Sequence, residues 1–313
     1  MTAVIFTILP VFGVVLAGWA VARANLITAE GVAGFTNVTF YLFVPALLFR
    51  AMRGVHFETL DFAPLYTYFG GALLCFFIVI AVSCRWFGHE LRHGTVNGLA
   101  MTFSNTVLLG IPLVKLAFGD AGLVILLTII SMHALILIAV ATLILEFVVG
   151  AKDRAGKSHL RNTWDVLRNT VFNPVILPIV VGLLWGALRL PLPDAIDAPL
   201  ALLGGASGPC SLVLLGASLA QYGIAQYWRP ALLLTVLKNI AFPIVIWALG
   251  RFVFHLNDLA LAVVTVTAAL PVGANVYLFA QRYNVAQGEI TAAVAISTAT
   301  SVLTLTLAML WFG

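Results

Sequence analysis

The chain has 313 residues, of which 62% are hydrophobic and only 9% are charged. A soluble domain carries about a quarter charged residues, so this composition excludes a soluble protein and predicts an integral membrane protein. The net charge of +4 comes from basic residues scattered between apolar segments, which does not suggest a nucleic-acid partner. The three cysteines lie in apolar surroundings and show neither metal-ligand nor disulfide spacing.

Ten apolar segments follow one another along the chain, each with a length typical of membrane-spanning helices rather than barrel strands. We predict an all-α integral membrane protein with spans at about 3–22, 31–52, 62–86, 95–118, 121–149, 171–189, 198–221, 230–254, 259–281 and 288–312. No Lys or Arg precedes Arg23, so we expect the first span to be retained rather than cleaved as a signal peptide. A polar loop at 151–169 separates five spans in 1–150 from five in 170–313.

The basic residues predict the orientation, because cytoplasmic loops of membrane proteins are enriched in Lys and Arg. Loops on the side of the central loop hold ten basic residues, and loops on the opposite side hold five. The ten are Arg23, Arg85, Arg92, Lys152, Arg154, Lys157, Arg161, Arg168, Arg229 and Arg282, and the five are Arg50, Arg53, Lys115, Arg189 and Arg251. We therefore expect a cell (inner) membrane protein with a cytoplasmic central loop and both termini outside.

The two halves show matching features in the same order, which indicates an internal repeat. Pro10 is followed by Gly18 eight residues later, and Pro178 is followed by Gly186 at the same distance. Each half has an odd number of spans, so the second copy must be inverted in the membrane. We predict two inverted five-helix repeats.

Spans four and nine are interrupted at matching places. Gly110 and Pro112 lie inside span four, and Pro271 and Gly273 lie inside span nine. Pro and Gly break the helical hydrogen-bond ladder, which is costly in lipid unless the freed backbone lines a protein-walled or watery cavity. Broken segments at corresponding positions of two halves indicate the midplane binding site of a secondary transporter. We expect the two broken helices to cross there and these four residues to belong to the site.

Two asparagines lie beside these breaks, Asn105 in span four and Asn275 in span nine. The N-terminus of a half-helix presents free N–H groups and partial positive charge, which suit an anion. An Asn amide offers both a donor and an acceptor. The two side chains could bind a substrate carboxylate or coordinate an ion, or they could only cap the broken backbone; binding and capping are compatible.

Lys238 lies about nine residues into span eight. A charge near a helix centre costs about 2.5–3.5 kcal/mol on insertion scales, so the side chain should face a cavity or a partner. Lys238 could add a positive charge for an anionic substrate, or it could pair with a carbonyl end or extend toward the membrane interface. No carboxylate lies in the middle of a span, so a buried Asp pair for proton or sodium coupling is not visible.

Four residues are candidates for coupling transport to an ion. His133 in span five could relay protons or be a packing residue. Ser297 and Ser301 in the hydroxyl-rich span ten could line an ion site or hold helices together. Glu146 could take part in coupling or anchor the basic loop. We expect no metal site and no cofactor, with a proton or Na⁺ as the candidate coupling ion.

These same segments resemble the auxin efflux carrier family over almost the whole chain. The motifs are residues 40–49, 105–112 and 211–219, and Leu270–Pro271 with Ser297–Thr298. The resemblance implies ten helices in two inverted repeats, a scaffold unit, a crossover-bearing unit that moves against it, and a carboxylate held by the two asparagines. The short central loop resembles that of compact bacterial members such as malonate-type carriers. Relatives also suggest a homodimer, whereas the lack of an Asp in span three leaves the driving force open.

We therefore expect a secondary transporter of small organic anions, with malonate or another dicarboxylate favoured, working by alternating access. An intramembrane enzyme is disfavoured, because the sequence has no paired Asp and no Gly-x-Ser-x-Gly turn. A membrane sensor, or a carrier of a cation or another solute with the same fold, is the alternative. Substrate identity, direction of transport, coupling ion and oligomeric state are not determined by the sequence.

Overall fold

The computed structural model describes residues 2–54, 61–152, 174, 176–220 and 227–312, and these residues are almost entirely helical. The α-helices are α1 Thr2–Arg23, α2 Ala29–Val38, α3 Val44–Arg53, α4 Ala63–Trp86, α5 Leu91–Thr102, α6 Ile111–Lys152, α7 Ile176–Ala187, α8 Asp194–Leu219, α9 Trp228–Val236, α10 Phe242–Ala248, α11 Asp258–Ala269, α12 Ala274–Tyr283 and α13 Gln287–Phe312. Wider π-helical turns cover Thr39–Phe43, Thr106–Gly110, Leu237–Ala241 and Leu249–Val253. The predicted loop at 151–169, apart from its first two residues, and the side chain of Glu146 lie outside the described residues.

Six helical segments in the described part of the chain are long and apolar enough to cross a membrane. They are Ala29–Arg53, Ala63–Trp86, Thr106–Leu145, Asp194–Leu219, Trp228–Val253 and Gln287–Phe312. Shorter apolar helices cover Leu9–Arg23, Leu177–Ala187 and Asp258–Ala269. The described part of the chain is thus all-helical, with several helices that could cross a membrane, and the count of ten spans stays a prediction.

Prolines explain three of the four π-helical turns. The turns that end at Phe43, Gly110 and Ala241 each stand two residues before a proline, namely Pro45, Pro112 and Pro243. Proline cannot donate a backbone hydrogen bond, and its ring clashes with the carbonyl of the residue four positions earlier. A turn that widens just before the proline relieves the clash and lets the helix continue. The predicted interruption at Gly110 and Pro112 is therefore a widened turn, and the chain leaves the helical path at Phe103–Asn105 instead.

Gly119 separates two parts of the long helix α6. Its backbone is non-helical, with φ of 63° and ψ of −155°. Glycine adopts such a conformation easily because it has no Cβ. Lys115 and Asp120 form an ion pair beside it on the exposed surface. This turn lies between the predicted end of span four at residue 118 and the predicted start of span five at residue 121.

Two hydrophobic clusters form the interior, and they share three helices. One cluster takes its buried residues from α4, α5, α9, α10 and α12. The other takes them from α1, α2, α3, α7 and α8. Helices α6, α11 and α13 contribute to both clusters. The broken segments after α5 and α11 lie where the two clusters meet, because Phe103 and Val272 belong to the first cluster and Leu270 belongs to the second.

Helices α1 and α8 pack closely because glycines let their backbones approach. A Cβ at Gly216 would meet the backbone carbonyl of Val15, and a Cβ at Gly18 would meet the backbone of Val213. Without a hydrophobic driving force between helices in lipid, close backbone packing of this kind is a main source of association.

We predict that Gly216→Ala lowers the Tm of the purified protein. The added methyl must displace the backbone of α1, and overpacking of this kind typically costs about 1–3 kcal/mol. Gly205, on the same helix, has no neighbouring heavy atom within 4 Å of an ideal Cβ, so Gly205→Ala is the matched control. Thermal unfolding, monitored by size-exclusion chromatography of heated samples, measures the Tm of both variants. Equal Tm values for the two variants would contradict the prediction.

Candidate functional site: a crossover of two broken helices

Two broken helices cross each other through a reciprocal pair of backbone hydrogen bonds. Helix α5 ends at Thr102 and helix α11 ends at Ala269. The extended residues that follow each helix run antiparallel, with Ser104 opposite Val272. The Asn105 N–H donates to the Pro271 carbonyl at 2.9 Å. The Gly273 N–H donates to the Phe103 carbonyl, also at 2.9 Å. Each break therefore satisfies backbone groups of the other, as a membrane interior demands.

Gly273 is required by the closeness of this crossing. An ideal Cβ at Gly273 would lie 2.8 Å from the Phe103 ring and 3.1 Å from the Ser104 carbonyl oxygen. Both distances are shorter than ordinary van der Waals contact. A side chain at this position would push the two segments apart and lengthen their hydrogen bonds.

A cavity of about 460 Å³ opens on one side of the crossover. Its polar lining consists of Thr36, Asn37, Ser104, Asn105, Thr106, His133, Ser218 and Asn275. Its aromatic lining consists of Phe40, Tyr41 and Phe103. Among the described residues that line it there is no Lys, Arg, Asp or Glu, so the recognition groups are neutral donors and acceptors with aromatic walls.

The cavity receives the N-terminal ends of two helical segments. The segment that continues into α6 begins at Thr106, and α12 begins at Ala274; both residues line the cavity. Helix N-termini carry partial positive charge and N–H groups without intrahelical partners. Two such ends facing one space provide a binding environment for an anion without a charged side chain in contact with it.

Asn105 lies between the crossing and the first of these helix ends. Its side chain is 5% exposed and makes no capping hydrogen bond. Its amide nitrogen Nδ2 has no hydrogen-bond partner among the described residues. A buried donor without a partner costs about 1–3 kcal/mol, so this amide is available to a bound acceptor. Asn275 lines the same cavity from the start of α12 and is exposed.

Lys238 is fully buried behind the crossover and does not line the cavity. Its Nζ donates to Ser104 Oγ at 2.8 Å and to the Ala268 carbonyl at 2.5 Å. The Phe242 ring centroid lies 4.9 Å from the same nitrogen. Ala268 is in the last turn of α11, where carbonyls carry partial negative charge and favour a cation. The ammonium thus stabilises one helix end and reaches the cavity only through Ser104.

His133 lines the cavity beside the crossover and is 2% exposed. Its Nε2 lies 3.3 Å from the Tyr68 hydroxyl oxygen, which in turn lies 3.0 Å from Ser104 Oγ. The Phe103 ring covers the imidazole, with the centroids 4.3 Å apart. The imidazole is therefore held in one place by contacts from α4 and from the first broken segment.

The two serines of α13 differ in what they contact. Ser297 Oγ accepts the Val272 N–H at 3.1 Å, so it satisfies a backbone group of the second broken segment. The Ser297 carbonyl also accepts from Asn239 Nδ2 at 2.9 Å. Ser301 donates to the Thr298 carbonyl of its own helix at 2.7 Å. Neither serine lines the cavity.

The structure thus brings some of the sequence-predicted site residues together and places others behind the site. Asn105, Gly273, Asn275 and His133 line the cavity. The remaining candidates lie outside its lining: Gly110, Pro112, Pro271, Lys238, Ser297 and Ser301. Pro271 still belongs to the crossing through its carbonyl. In the described part of the chain no group of three or more His, Cys, Asp and Glu residues could hold a metal ion.

Sequence reasoning missed Ser104, Tyr68 and the cavity wall formed by α2. Ser104 directly precedes Asn105, so its position beside the break could have indicated that it belongs to the site. Tyr68 is 36 residues from Ser104 and 65 from His133 in the chain, and no local pattern predicts those contacts. Asn37 stands just before the first π-helical turn. Such turns are frequent at functional sites.

Comparison with known proteins identifies the family. A family profile described as "Membrane transport protein" matches residues 3–309. The chain therefore belongs to this family of membrane transporters, the auxin efflux carrier family that its motifs resemble. It is a family of transporters and not of enzymes.

Two relatives illustrate the similarity. The chain is 24% identical over 300 residues to the "Putative malonate transporter" of Rhizobium meliloti (strain 1021), covering 96% of this chain and 92% of that protein. It is 34% identical over 110 residues to the "Lysosomal cholesterol signaling protein" of Mus musculus, covering 34% of this chain and 13% of the mouse protein. The first similarity extends over both chains, and the second is confined to a small part of the mouse protein.

We predict that Ser297→Ala destabilises the protein more than Ser301→Ala. Removing the Ser297 hydroxyl leaves the buried Val272 N–H without its partner, which costs about 1–3 kcal/mol. Removing the Ser301 hydroxyl only frees a carbonyl of its own helix. Thermal unfolding of the two variants in the same detergent checks this prediction, and a smaller loss of Tm for Ser297→Ala would contradict it.

Proposed function

We propose that this protein is a secondary transporter that moves small organic anions across the cell (inner) membrane by alternating access at the crossover. The observation that carries the proposal is a single cavity that receives two helix N-termini, the unpartnered Nδ2 of Asn105 and the amide of Asn275. These groups can surround a carboxylate with N–H donors. No carboxylate of the described residues lines the cavity to repel one.

The proposed substrate class is a small carboxylate, with malonate or another dicarboxylate favoured. The polar lining of the cavity offers enough donors for two carboxylate groups, one near Asn105 and one near Asn275. The Lys238 ammonium supplements this environment from behind Ser104 without contacting the substrate. The name of the Rhizobium meliloti relative supports malonate as the first compound to test.

The proposed architecture consists of ten spans in two inverted repeats, 1–150 and 170–313, joined by a cytoplasmic loop at 151–169, with both termini outside. The reciprocal form of the crossing supports it, because each broken segment gives one N–H and receives one at an equivalent place. The two units that would move against each other are proposed from the helices found in one cluster alone: α4, α5, α9, α10 and α12 in the first, and α1, α2, α3, α7 and α8 in the second. A homodimer in the bilayer stays a prediction, as does a proton or Na⁺ as the coupling ion.

A sensor built on the same fold is the second candidate, and the name of the mouse relative favours considering it. Such a protein would bind its ligand at the crossover without moving it across the membrane. Repeated turnover of labelled substrate per protein molecule in liposomes separates a carrier from a sensor.

We predict that Asn105→Ala weakens binding of malonate about tenfold to hundredfold, because a hydrogen bond to a charged group contributes about 1.5–3 kcal/mol. Asn105→Asp should weaken it further, since a carboxylate of the same size would repel the anion. Counterflow of radiolabelled malonate in liposomes, at equal protein content, measures the effect.

Asn97→Ala provides the matched control for these variants. Asn97 is also buried and lies on the helix that precedes the break, but it does not line the cavity. Counterflow should therefore persist in Asn97→Ala. Normal counterflow in Asn105→Ala and Asn105→Asp would contradict the proposed role of the crossover.

A further inference from the structure

Four polar side chains form a continuous buried chain from the crossover to the cavity. Lys238 Nζ lies 2.8 Å from Ser104 Oγ, and Ser104 Oγ lies 3.0 Å from the Tyr68 hydroxyl oxygen. The Tyr68 hydroxyl oxygen lies 3.3 Å from His133 Nε2. The four side chains belong to residues that are 0%, 1%, 0% and 2% exposed in that order. His133 and Ser104 both line the cavity, whereas Lys238 is enclosed.

The N–H and O–H donors of this hydrogen-bonded series can all point toward His133. An ammonium group can only donate, so Ser104 Oγ accepts from Lys238 and its own O–H is free to donate to Tyr68. The Tyr68 O–H can then donate to His133 Nε2. The Thr102 carbonyl provides a hydrogen-bond partner for the same imidazole, which suits a ring that carries its hydrogen on Nδ1. Each of the two hydroxyls therefore has a donor before it and an acceptor after it.

We propose that Lys238, Ser104, Tyr68 and His133 form a proton relay that couples anion transport to proton movement. The proposal rests on the proposed transport function. In the relay step Lys238 Nζ gives a proton to Ser104 Oγ, whose own proton passes to the Tyr68 oxygen. The Tyr68 proton passes in turn to His133 Nε2. Both hydroxyls end as hydroxyls, Lys238 becomes a neutral amine, and the imidazole becomes an imidazolium that can release a proton to water in the cavity.

The surroundings of Lys238 make its charge depend on the substrate. In the described part of the chain, the buried thiol of Cys75 on α4 is the titratable group outside the relay that faces Lys238. Among the described residues no carboxylate forms an ion pair with Lys238. An anion in the cavity would therefore be the principal negative charge near the ammonium. Anion binding and proton binding then favour each other, and by linkage the effect is reciprocal.

Tyr68→Phe tests the relay, because it removes the hydroxyl and keeps the ring. Exchange of internal for external [¹⁴C]malonate in liposomes needs no proton release, whereas net uptake driven by a pH gradient does. Net uptake should fall about 10²-fold, the lower end of what a positioned proton-transfer group contributes, while exchange is unchanged. Tyr66→Phe is the matched control, since Tyr66 lies on the same helix and is 61% exposed; both of its rates should equal those of the wild type.

Three outcomes would overturn the relay or the coupling. If Tyr68→Phe loses exchange and net uptake equally, the hydroxyl has a structural role and the relay is wrong. If Tyr68→Phe keeps full net uptake, the relay is also wrong. If net uptake by the wild type does not respond to the pH gradient while exchange proceeds, the coupling is wrong and the transport function stands.

A measurement without substrate separates failure of the relay from failure of the transport function. In ¹⁵N-lysine-labelled protein in lipid, solid-state NMR can follow hydrogen exchange of the Lys238 ammonium, with Lys238→Met identifying its signal. The relay predicts exchange with water despite full burial, slowed about 10²-fold by Tyr68→Phe. An exchange rate unaffected by Tyr68→Phe overturns the relay, whether or not malonate is transported.

Discussion

The arrangement of the site depends on satisfying backbone hydrogen bonds inside a membrane. A helix that breaks in lipid exposes N–H and C=O groups, and each unsatisfied group costs several kcal/mol. Here the two breaks pair with each other through Asn105 and Pro271 in one direction and Gly273 and Phe103 in the other. Side chains satisfy two further groups: Ser297 Oγ accepts the Val272 N–H, and Lys238 donates to the Ala268 carbonyl. The same constraint that holds the crossing together brings two helix N-termini to one cavity.

Charge at the crossover is arranged in two layers. Neutral donors line the cavity, and the ammonium of Lys238 lies behind them with Ser104 between it and the cavity. An enclosed cation is costly in a low-dielectric interior unless it is hydrogen-bonded. The Ala268 carbonyl and the Ser104 hydroxyl supply those bonds. This explains how a lysine near the middle of a span is tolerated, and why its effect on the cavity passes through a hydroxyl rather than by direct contact.

Sequence patterns predicted the membrane class, the pairing of two interrupted segments and several cavity residues, because composition and Pro/Gly positions act locally. The exact position of the first helix break could not be predicted from the sequence. Gly110 and Pro112 indicated an interruption, but Pro112 stands in the first turn of α6, where a missing N–H is tolerated, and a π-helical turn precedes it. Lys238 was expected to face a cavity or a partner, and the structure gives it partners. Its link to His133 through Tyr68 depends on the packing of α4 against α6, which no spacing in one segment reveals.

The central claim is that the crossover holds the transported anion, and a cryo-EM structure of the protein in lipid nanodiscs with saturating malonate tests it most directly. The account predicts density for the anion within hydrogen-bonding distance of Asn105 Nδ2 and the N-terminal end of α12, in the cavity that His133 and Asn275 line. Density for the anion at a place that contacts neither Asn105 nor Asn275, with the crossover cavity empty, would contradict it.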